Sequence, residues 1–68
     1  MSRTGEIGIA YLNASGKELG SIGGCASIEV ATTEARTGLR SIYPQAIRAV
    51  IYSGRTLSEG AVLTEVAR

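Results

Sequence analysis

The 68-residue chain has no His, Asp, Trp or Phe, a single Cys and a single Pro. Without His or Asp, neither a Ser-His-Asp nor a Cys-His nucleophile system can be assembled, and proton transfer is left to glutamates, Lys17, tyrosines and arginines. No enzyme is expected on these grounds. One cysteine, Cys25, makes no intramolecular disulfide, and the other donors do not add up to a metal cage. Seven basic residues against six acidic leave a net charge of +1, which supplies no broad field for nucleic acid or an anionic membrane. The polar opening Met1-Ser2-Arg3-Thr4-Gly5-Glu6 lacks the apolar stretch of a signal peptide, and no run of about 18 apolar residues appears. The expectation is a cytoplasmic protein with a reduced thiol, without cofactor, metal, membrane contact or small-molecule substrate.

What is present is short and apolar. Hydrophobic residues make up 44% of the chain and the mean hydropathy is +0.15. A domain of this size has a core that supplies only roughly 3 to 5 kcal/mol, and small scaffolds add disulfides, a metal or self-association. With the first two routes closed, a homodimer or a complex with a protein partner is expected.

Hydrophobic periodicity gives one small α+β domain covering residues 1–68. Residues Glu6 to Leu12 alternate Ile7, Ile9 and Tyr11 with Gly8, Ala10 and Leu12, the period of a strand. Asn13-Ala14-Ser15-Gly16-Lys17 is a turn in which Gly16 can take a positive φ. A second strand starts at Glu18, is bent or broken by Gly20, Gly23 and Gly24, and resumes with Ala26, Ile28 and Val30 inward. Thr32 or Thr33 then caps a helix of at most three turns, with Glu34 in its first turn and Ala35, Leu39 and Ile42 on one apolar stripe. Pro44 stops it by pushing Tyr43 out of α geometry. Ala46 to Tyr52 is apolar on both faces except at Arg48, as a central strand is. Turns at Ser53-Gly54-Arg55 and Ser58-Glu59-Gly60 flank a short Thr56-Leu57 strand. Ala61 to Ala67 reads as a strand on propensity, with a Ser58-capped helix as the alternative. The order ββαββ predicts an antiparallel sheet of about four strands with a helix on one face. The other face is expected to be open, with Ile7, Ile9, Tyr11, Val50 and Tyr52 among its occupants, and such a patch marks an interface.

Few constellations carry chemistry. Cys25 follows two glycines but has no nearby base, and it reads as a small buried hydrophobe. Gly20-Ser21-Ile22-Gly23-Gly24 matches neither a Walker loop nor G-x-G-x-x-G. Glu6, Glu18, Glu29, Glu34, Glu59 and Glu65 are scattered and read as solvated surface. The most suggestive polar cluster is Arg36, Arg40 and Tyr43 on the helix, with Arg48 near it. Arginine and tyrosine are favoured at binding hot spots, and they can also hold phosphates and stack bases. A solvated helix face is the plain alternative.

One segment carries a resemblance. Ile51, Gly54, Leu57, Gly60 and Leu63, with Tyr52, Arg55, Glu59, Thr64 and Glu65 conservatively, make residues 51–65 similar to the strand, turn and short-strand segment of ubiquitin-like β-grasp proteins. The resemblance implies a partner-binding role for Ile51 and core positions for Leu57 and Leu63. The longer first hairpin and the end Ala67-Arg68, without a diglycine, depart from the family, so conjugation is not implied. In general character, and without a shared motif, the chain also resembles small phage-encoded inhibitors of host defence systems such as anti-CRISPR proteins.

The sequence thus predicts a dimeric protein-binding module, an inhibitor or adaptor masking a larger partner's surface, with Arg36, Arg40, Tyr43, Arg48, Ile51 and Tyr52 as its contacts. The alternative is a nucleic-acid-binding protein that uses Arg36, Arg40 and Arg48.

Overall fold

The computed structural model describes residues 7–55, 57 and 60–68. Four strands and one helix follow the expected ββαββ order: β1 (Ile7–Leu12), β2 (Glu18–Cys25), α1 (Ile28–Thr37), β3 (Arg48–Ser53) and β4 (Ala61–Ala67). The strands form one sheet in the order β2-β1-β3-β4, with every neighbouring pair antiparallel. The two hairpins therefore lie side by side, joined at the centre through β1 and β3, and α1 crosses one face. Ala61–Ala67 is the strand that propensity favoured.

The first hairpin turn is held by one side chain. Asn13 Oδ1 accepts from the Ser15 and Lys17 amides, each at 3.0 Å, and from the Ser15 hydroxyl at 2.8 Å. Gly16 takes φ +87°, a conformation that costs glycine no steric penalty. The glycines of β2 act as expected for bulges: its pairing with β1 shifts register between Ile7 and Ile9 and again between Tyr11 and Leu12.

Helix α1 corrects the expected boundary. Residues 28–31 were expected to extend the second strand, but Ser27 caps the helix: its backbone is extended and its Oγ accepts from the Val30 amide at 3.2 Å. Glu29 rather than Glu34 then sits in the first turn, where the dipole favours negative charge. Thr32 and Thr33 are not caps. Their hydroxyls donate back to the carbonyls of Ile28 and Glu29, one turn earlier inside the helix. Ile28 and Val30 are exposed rather than inward, and the buried stripe is Ala31, Ala35 and Leu39.

Past Thr37 the helix widens into a π-helical turn, Gly38–Ile42, so it is longer than the three turns expected. The Tyr43 amide donates to the Gly38 carbonyl, five residues back, at 2.7 Å. One extra residue in the turn rotates the side chains at its C-terminal end, which carries Ile42 off the apolar stripe to 58% exposure. Helical structure ends before Tyr43, as Pro44 predicts.

The core lies between α1 and one sheet face. Ile9, Tyr11, Ala49, Ile51 and Val66 meet Ala31, Ala35 and Leu39 there, with Cys25 and Ala46 in the same cluster. Register explains the grouping, since Ile9 lies opposite Ile51 and Tyr11 opposite Ala49. This corrects the expected open face: Ile9 and Tyr11 are on the helix side with Ile7 packed against them, while Val50 and Tyr52, on the opposite face, are buried as well. Regular pairing in β3 starts at Arg48 instead of Ala46, with Ala46 buried and Ile47 exposed. Leu57 lies in a turn, and Thr56, Ser58 and Glu59, which carried the expected short strand and second turn, lie outside the described residues. No helix among the described residues is long and apolar enough to cross a membrane.

Candidate functional site

The six expected contact residues separate into three places. Arg36 and Arg40 are exposed near the C-terminal end of the helical segment and line a groove with Leu39, Ala67 and Arg68. Arg48 is not with them. It alternates with buried, core-facing Ala49 and so lies on the sheet face opposite the helix, 3.8 Å from the Glu65 carboxylate. Ile51 is fully buried in the core, while Leu63 is exposed, the reverse of the positions that the ubiquitin-like resemblance implies. Tyr52 is buried over Gly8, where a β-carbon would collide with its ring.

Tyr43 is engaged inside the fold. Its ring stacks on Tyr11 with centroids 4.5 Å apart and planes 26° off parallel, and it occupies the space where a side chain at Gly20 would stand. Tyr11 does the same above Gly38, and its hydroxyl donates to the Glu34 carbonyl at 3.2 Å. Each of the three tyrosines thus fills the space over a glycine, and Tyr43, half-buried, also lines a surface pocket with Leu19, Ile42, Pro44 and Gln45.

Burial pushes the Tyr11 phenol up from its ordinary value, with the negative charge of Glu34 adding to the effect. Burial raises Tyr52 likewise, with Glu18 second. The Cys25 thiol is buried and also raised, by desolvation first and then by Glu34. A thiol held protonated is a poor nucleophile, in keeping with Cys25 as a packing residue.

Arg68 is the residue that sequence patterning missed. Its Nε donates to the Ala46 carbonyl at 3.0 Å, and its Nη2 to the carbonyls of Pro44 at 2.9 Å, Tyr43 at 3.2 Å and Leu39. Its own amide donates to the Ile47 carbonyl at 3.0 Å. The guanidinium therefore gathers the carbonyls at the end of the helix and the following turn, where the dipole is negative. No local signal marks this role. Pairing of Ala67 with Arg48 brings Arg68 beside Ile47, and only the assembled sheet places it under the helix end.

The result is a groove of about 380 Å³ walled by Arg36, Arg40 and Arg68, with Leu39 and Ala67 between them. No side-chain carboxylate among the described residues lines it. Compared with protein-family models, curated proteins and solved structures, the chain finds no match.

Proposed function

We propose that this chain is a non-enzymatic protein-binding module that works as a homodimer and masks or bridges a surface on a larger partner. The observation that carries the reading is the outer edge of β4. No strand among the described residues pairs with it, and five of its seven residues from Ala61 to Glu65 are exposed, including Val62 at 57% and Leu63 at 40%. An open edge offers a row of backbone donors and acceptors that another strand can satisfy.

The other sheet edge, β2, is guarded by two register shifts and by glycines, whereas β4 carries a single shift, at Leu63, and neither Lys nor Pro. A second copy offers the same edge in the orientation that a two-fold axis requires, and its docking buries apolar surface that a small domain needs to hide.

Light scattering coupled to size exclusion tests this across protein concentrations. The expected result is a dimer that Leu63→Lys converts to monomer with its circular dichroism unchanged. A wild-type chain that stays monomeric at high concentration would reject the dimer.

A further inference from the structure

The arginine groove lies at the last residue of β4, beyond the exposed run Ala61 to Glu65, and calls for its own ligand. Arg36 and Arg40 stand four residues apart, where like charges repel. Arg68 adds a third positive charge at the same groove, and its guanidinium cannot swing away because backbone carbonyls hold it. The groups that hold the Arg68 guanidinium are backbone carbonyls, and no side-chain carboxylate among the described residues lines the groove. A bound anion would relieve the repulsion, and guanidinium groups take carboxylates in paired, charge-assisted hydrogen bonds.

The groove is also partly apolar, with Leu39 and Ala67 between the charges. We infer that the groove between the helix C-terminal end and the end of β4 binds an acidic peptide segment of a protein partner, with carboxylates on Arg36 and Arg40 and an apolar side chain against Leu39 and Ala67. The inference rests on the reading of the chain as a protein-binding module and gives that partner its chemistry.

Nucleic acid fits the same groove less well. It would need a run of cations along a backbone and, for single strands, rings on which bases stack. Only Arg36 and Arg40 have guanidinium groups available here, Arg48 lies on the opposite face beside Glu65, and no tyrosine lines the groove. The chain as a whole carries only +1.

The test titrates 15N-labelled protein with a capped peptide of alternating Glu and Leu and, separately, with a mixed-sequence DNA duplex at the same ionic strength. The expected result is saturable peptide binding that moves the amide signals of Arg36 to Arg40 and of Ala67 and Arg68. Affinity should fall at least tenfold in the Arg36→Gln/Arg40→Gln double variant, with thermal stability unchanged or raised. Three outcomes would overturn the inference: no peptide binding at millimolar concentration, equal binding by the double variant, or tighter binding of the duplex than of the peptide. Any of these, alongside a dimer that Leu63→Lys still disrupts, would remove the groove's assignment and leave the dimer standing.

Discussion

The two ends of the helical segment are held in opposite ways. At the N-terminal end a single hydroxyl, Ser27 Oγ, satisfies one backbone amide, and the first turn shows Ile28 and Val30 to solvent. At the C-terminal end the π-helical turn rests on Tyr11, the Tyr11–Tyr43 stack lies beside it, and Arg68 gathers carbonyls from Leu39 to Ala46. Local chemistry therefore starts the helix, and tertiary chemistry ends it. The first kind of attachment depends on neighbours in sequence; the second requires that β4 has already paired with β3.

The largest expected effect breaks the tertiary end. Arg68→Met keeps much of the aliphatic bulk but leaves partly buried carbonyls without their charged donor, at a cost of about 1.5–3 kcal/mol. Urea unfolding followed by circular dichroism measures the loss. In a domain whose core supplies roughly 3 to 5 kcal/mol, the midpoint should fall steeply. A midpoint close to wild type would show that water replaces the guanidinium at no cost and that the two ends are alike after all.

A second substitution sets intrinsic propensity against packing. Gly38→Ala favours the helical state by about 1 kcal/mol on propensity alone. Gly38 nevertheless has ordinary right-handed helical backbone angles, so nothing in its φ requires glycine. What requires it is the Tyr11 ring, which lies where the new methyl must go. Forcing a group into a packed core costs about 1–3 kcal/mol, so the same unfolding measurement should show net destabilisation. A more stable variant would mean that the ring moves aside freely and that the stack with Tyr43 contributes little.

Gly38 also shows where sequence reading stops. Strand period, turn residues and the proline stop made the order of elements and the central position of β3 legible, because each depends on residues within a few positions of one another. The helix start was misplaced because Ala26, Ile28 and Val30 alternate like a strand, while the competing Ser27 cap and first-turn Glu29 are equally local. The faces of the sheet were legible as alternation, but nothing in the pattern said which face the helix would cover or that both would be buried. Arg36 and Arg40 were legible as a pair through their spacing. Their third member was not, because Arg68 reaches them only through strand pairing, while Arg48 is nearer in sequence and points to the opposite face.

The smallest expected effect concerns the local end. Ser27→Ala removes the acceptor for the Val30 amide, and loss of such a cap costs about 1 kcal/mol. Because the amide is exposed, water can take it up, so the change should fray the first turn and leave the core in place. Amide hydrogen exchange separates the two ends: protection should drop at Val30 and its immediate neighbours while Ala35 and Leu39, which face the core, keep theirs up to the global unfolding limit. In the Arg68→Met protein the pattern should invert, with loss through Leu39 to Tyr43 and a first turn that exchanges as in wild type. If Ser27→Ala instead lowered protection along the whole helix, the segment would be a single cooperative unit, and its two modes of attachment would have no separate energetic meaning.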